Sequence, residues 1–152
     1  MPPTPRFVWT LRVTSPDRKA ARVATRGQQF EVTRPIDFDA EHDGITALEY
    51  VLGAVGAELV TGVREFARRR RLDVDDVEAV VRGELDNALT YLEVIGEAGH
   101  PAISRIEVKV YVASPDSEAS VRTLFQEAVE RLPLARTFRH LVRLDLDVIR
   151  TP

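Results

Sequence analysis

From Gly44 to Arg71 the apolar residues Leu48, Leu52, Val55, Leu59, Val63 and Phe66 recur every three or four positions, laying them along one helical face. Thr46 and Glu49 stand at capping-box spacing, where each can satisfy a backbone N–H of the first turn. Elsewhere the period drops to two. Phe7, Trp9, Leu11 and Val13 alternate with polar positions and predict a first strand; Val77, Ala79 and Val81, within Val74 to Leu85, predict another. Ile106, Val108, Val110 and Val112 oppose Arg105, Glu107 and Lys109, the pattern of a half-buried antiparallel strand. Val142, Leu144, Leu146 and Val148 repeat that alternation near the end of the chain. Arg22–Ala24 and Gln29–Val32 flank Gly27 as a hairpin. A second helix carries Val121, Leu124, Phe125, Ala128 and Val129, with Pro133 as its stop and Leu134 to Arg139 as a short further turn. The segment 88–103 mixes Leu89, Tyr91 and Leu92 with the breakers Gly96, Gly99 and Pro101, and fits neither period. Strands separated by two helices predict an α+β fold, with the helices packed on a mostly antiparallel sheet.

Two features of the long helix stand out. Gly53, Gly56 and Gly62 each weaken it by roughly 1 kcal/mol relative to alanine, which predicts close approach to another backbone. Glu58 has no lysine or arginine one turn away, its neighbours there being Ala54, Val55, Thr61 and Gly62. A carboxylate at the edge of an apolar, glycine-lined face needs a partner or a task.

Composition narrows the chemistry. The 152 residues suit one domain, 1–152, whose first five residues form a proline-rich, flexible arm. A net charge of -3 argues against nucleic acid as a partner, and Arg68–Arg71 read as a solvated end complementing the helix dipole. Cysteine is absent, which excludes disulfides, thiol nucleophiles and thiolate metal sites. There is no apolar run of membrane-spanning length and no signal-peptide core, so the expected location is the cytoplasm. His42, His100 and His140 show no metal-ligand spacing, there is no phosphate loop, and neither metal nor cofactor is expected. The acidic stretch Asp39–Asp43 reads as a solvated helix start.

Three stretches carry a family resemblance. Gly44-Ile45-Thr46-Ala47-Leu48-Glu49 and Leu52–Leu59 (LGAVGAEL) are similar to Gly-Pro-Thr-Pro-x-Glu and Leu-x-Ala-Leu-Gly-Ala-Cys-Leu of the OsmC/Ohr family, whose best-known members reduce organic hydroperoxides with a cysteine pair. Val77–Asp86 resembles the following strand, and Ala128–Thr137 (AVERLPLART) is similar to Ala-Glu-x-x-Cys-Pro-Val-Ser-x-Thr. On this alignment Glu58 stands at the peroxidatic cysteine and Leu132 at the resolving one, while Ile45 and Ala47 replace the two prolines. The resemblance implies an intertwined homodimer, with mostly antiparallel sheets wrapped around two central helices and a pocket near the subunit boundary. It also implies an arginine from the N-terminal strands beside the reactive position, and Arg26 is the candidate. Phe38, Val55 and Leu132 would line the pocket with it.

Three functions are compatible with these residues. The first is a binding protein holding a small, largely apolar or amphipathic molecule in the inherited pocket, with Glu58 as a structural ion-pair partner. The second is a non-redox enzyme (isomerase, cyclase, dehydratase or hydrolase) in which Glu58 is the catalytic general acid or base, since carboxyl groups in apolar settings suit proton transfer near neutral pH. The third is a structural or regulatory dimer whose pocket has closed around Leu132.

Overall fold

A computed structural model of the chain describes residues 1, 2, 4, 6–34 and 44–152. They form two compact units, Met1–Glu49 and Tyr50–Pro152.

The first unit holds a three-stranded antiparallel sheet of β1 (Arg12–Thr14), β2 (Ala20–Thr25) and β3 (Gln28–Thr33). Thr25 pairs with Gln28, so Arg26 and Gly27 alone make the turn. Both have positive φ, 48° and 76°, as a two-residue hairpin turn of the primed type requires. The strand expected over Phe7–Val13 forms only from Arg12. Arg12 pairs with Ala24, one residue before β2 ends at Thr25, so among the described residues the ladder does not continue to the residues before Arg12. Phe7 and Trp9 instead stack on each other, 6.4 Å between ring centroids, and stay 76% and 68% exposed. The capping box forms as expected: Glu49 Oε2 accepts from the Thr46 N–H at 2.8 Å, and Thr46 Oγ1 accepts from the Glu49 N–H at 3.3 Å.

The long helix, α1 (Ala47–Arg70), runs into the second unit, where it packs with β4 (Asp76–Leu85), β5 (Ile103–Ala113), α3 (Glu118–Val129), α4 (Pro133–Leu141) and β6 (Arg143–Thr151). The ambiguous segment contributes one short helix, α2 (Ala88–Tyr91), followed by turns. The sheet order is β4-β5-β6. Central β5 is antiparallel to β4 and parallel to β6, within the mostly antiparallel pairing expected. Side-chain alternation cannot distinguish the two, whereas a parallel neighbour requires a crossover connection, and α3 and α4 supply it. Three of the four strand pairings remain antiparallel.

The core draws on α1, β4, β5, α3, α4 and β6. Val55, Leu59 and Val63 of α1, Ile106, Val108, Val110 and Val112 of β5, and Ala128 and Ala135 of α3 and α4 are all fully buried. The periodicities read from the sequence thus mark the buried faces. Among the described residues, three arginines at the end of α1 have acidic partners within the protein. Arg68 and Arg69 both bond Glu65, whose carboxyl they hold down to about 2, Arg68 foremost. Arg70 pairs with Glu127 of α3.

Within this chain, Gly56 and Gly62 of α1 admit side chains of neighbouring elements. A Cβ on Gly56 would lie 2.6 Å from Val81 Cγ2, and one on Gly62 would lie 2.5, 2.8 and 3.2 Å from Cδ2, Cδ1 and Cγ of Leu132. A Cβ on Gly53 would meet nothing of its own chain within 4 Å. Gly62 is therefore the floor on which Leu132 rests. Gly62→Ala is expected to lower stability by about 1–2 kcal/mol in denaturant titrations despite its better helix propensity, because overpacking outweighs it. In the Leu132→Ala background the same change should become neutral or stabilising, and additive losses would show that the two residues do not share the space.

Candidate functional site

Helix α4 begins with a residue poorly suited to begin a helix. Its N-cap is Leu132, in extended conformation (φ -81°, ψ 121°), with no side-chain hydrogen bond to the turn it opens. Pro133 follows at the first helical position, where its fixed φ is favourable and its missing N–H is no loss. Proline also keeps the preceding residue extended. The residue expected only to stop a helix therefore starts one, and α4 runs nine residues.

That start leaves the N–H groups of Leu134 and Ala135 without acceptors in their own helix. Glu58 supplies them. The Leu134 N–H donates to both carboxylate oxygens, at 2.9 Å each, and the Ala135 N–H donates to Oε2 at 3.1 Å. The next N–H, of Arg136, returns to Leu132 O at 3.0 Å as an ordinary helical bond. Every donor of the first turn is satisfied, the middle two by a side chain 76 and 77 residues away. The negative charge also faces the positive end of the α4 dipole. Glu58 itself is half-buried, one turn of α1 away from buried Val55 and Gly62.

Of the residues singled out by sequence, Glu58, Val55 and Leu132 belong to the second unit. Glu58 and Leu132 meet at the opening of α4, and Val55 lies fully buried in the core beneath α1. Arg26 belongs to the first unit, on the exposed tip of the β2–β3 hairpin. Phe38 and the stretch 39–43, with His42, lie outside the described residues. Among the described residues the hydrogen-bond partners of the Glu58 carboxylate are backbone N–H groups rather than an arginine. Sequence reading missed Leu134 and Ala135, whose side chains carry no signal. The available clue was a proline-started segment preceded by leucine, a helix without a cap of its own.

The family model described as OsmC-like protein matches residues 40–147, most of the chain. The chain belongs to the OsmC-like family. Its fold is similar to that of an OsmC-like protein from Mycoplasma pneumoniae, with a TM-score of 0.76 at 15% identity, covering 95% of this chain and 96% of that one. A Legionella pneumophila structure described as an organic hydroperoxide resistance protein OsmC matches with a TM-score of 0.71 at 12% identity, covering 94% and 98%. An OsmC-like protein of unknown function from Vibrio cholerae matches with a TM-score of 0.74 at 10% identity, covering 95% and 100%. No curated protein matches this chain in sequence.

This OsmC-like chain contains no cysteine and is not a cysteine thiol peroxidase. The purified protein is expected to consume no cumene hydroperoxide above background with dithiothreitol as reductant, measured by loss of peroxide; sustained turnover would contradict this. Glu58→Ala should lower unfolding stability by about 2–3 kcal/mol, the scale of hydrogen bonds to a charged group. Glu58→Gln keeps one acceptor oxygen but turns an NH₂ toward N–H donors, and should lose about 1–2 kcal/mol. Unchanged denaturation midpoints for both variants would show that the carboxylate does not hold α4.

Proposed function

We propose that this OsmC-like protein is a non-redox homodimer that binds a small, largely apolar or amphipathic molecule in the pocket containing Glu58. In this reading Glu58 and Leu132 preserve the framework around the pocket rather than react. The observation that carries it is the set of three backbone N–H bonds to the Glu58 carboxylate. A group acting as general acid must hold a proton on an oxygen, and a protonated carboxyl accepts N–H bonds more weakly than a carboxylate. Each catalytic cycle through Glu58 would thus loosen the start of α4, which favours binding over the isomerase, cyclase, dehydratase or hydrolase alternative. Arg26 and Phe38 are proposed as further contributors to ligand binding.

The proposed dimer has support on α1. Gly53, Ala54, Ala57 and Thr61 are exposed along one side of a helix otherwise packed into the core, and all are small. Small residues let two helices approach closely, since interaxial distance follows the side chains at the contact. Thr61 tucks its hydroxyl back onto Ala57 O at 2.8 Å, leaving that side smooth.

Sedimentation should find a species of twice the 17.0 kDa chain mass. Ala57→Arg should shift it to monomer while leaving the far-ultraviolet circular dichroism of a folded chain. The neutral fluorescent probe N-phenyl-1-naphthylamine should bind saturably to the dimer and at least tenfold more weakly to Ala57→Arg. A monomeric wild type, or probe binding indifferent to Ala57→Arg, would sink the proposal.

A further inference from the structure

A second place in the fold combines apolar surface with unmatched charge. Phe125 and Val129 of α3 and Leu144 and Leu146 of β6 line a groove of about 430 Å³, with Glu130 and Arg139 also in its lining. That volume falls in the range of small-molecule sites. Its charges do not cancel. Glu130 accepts from Arg139 Nη1 at 2.7 Å on one oxygen and from Arg136 Nη1 at 2.9 Å on the other. Two guanidinium groups thus serve one carboxylate. If Arg139 turned to another anion, Glu130 would keep Arg136 and no charge would be stranded. The neighbouring groove of about 410 Å³ between α1 and α3 lacks this surplus, since its Arg70 and Glu127 are paired one to one.

We infer that the groove between α3 and β6 binds a small amphipathic carboxylate, with Arg139 holding the carboxylate and the hydrocarbon chain lying on Phe125, Val129, Leu144 and Leu146. The planar guanidinium fork matches a carboxylate in a bidentate pair, which a single-point cation does not. Leu144 and Leu146, with the exposed edges of Phe125 and Val129, supply the apolar contacts beside the charged groups of the groove. This site is distinct from that at Glu58. Arg139 lies six residues beyond Pro133, about 9 Å further along α4.

The probe is sodium octanoate, titrated into uniformly ¹⁵N-labelled wild-type protein below its micelle concentration. Saturable amide shifts are expected at Phe125, Val129, Leu144 and Leu146, with octanol, which lacks the charge, binding about tenfold more weakly. Arg139→Gln should weaken octanoate about tenfold, whereas Glu130→Gln, which removes the competing carboxylate, should tighten it several-fold. Glu58→Gln should leave octanoate affinity unchanged, and Arg139→Gln should leave N-phenyl-1-naphthylamine binding unchanged, so this site and the proposed dimer pocket fail separately. Shifts confined to the start of α4, equal affinity for octanol and octanoate, or no saturable shifts would overturn the inference.

Discussion

The first turn of α4 presents two backbone N–H groups that its own residues cannot satisfy, and the carboxylate of Glu58 is what they bond. A helix of nine residues is too short to persist in water on propensity alone, so its position depends on tertiary contacts. Two of those contacts arise from adjacent positions of α1: Glu58 caps the turn and Gly62, one turn later, receives the side chain of Leu132. Together they fix where α4 starts and how closely it lies on α1. The placement matters beyond α4 because the α3–α4 pair is the crossover that lets β6 run parallel to β5.

The rest of the second unit follows from this arrangement. The strip Val55, Leu59, Val63 and Phe66 covers a sheet whose central strand is buried at four alternate positions. The charged end of α1 is neutralised locally, by Glu65 within the helix and by Glu127 across to α3. These ion pairs are exposed or partly exposed and add little to stability individually.

The OsmC-like fold forms here without cysteine, and the residues at 58 and 132 meet framework demands where they stand. Leucine at 132 fills the space above a glycine, and glutamate at 58 offers two acceptor oxygens to a helix end that needs acceptors. Neither residue can form or break a sulfur bond.

The sequence by itself determined the secondary elements and their buried faces. Capping chemistry placed the start of α1, turn chemistry placed the β2–β3 hairpin, and periodicity identified the apolar sides of α1, α3, β5 and β6. These are local properties, decided within a few residues by sterics and hydrogen bonding. The sequence also held two loose ends: a glutamate without a partner on its own helix, and a proline-started segment after a leucine that cannot cap it. Only the tertiary structure joined them, across 76 residues, because a backbone N–H carries no residue identity to search for. It likewise decided that β6 is parallel and that, among the described residues, Phe7 to Leu11 join no strand ladder, since strand direction and the length of a neighbouring strand are set by the path of the chain. The carboxylate that has no partner on its own helix is, physically, bonded to the start of a distant one.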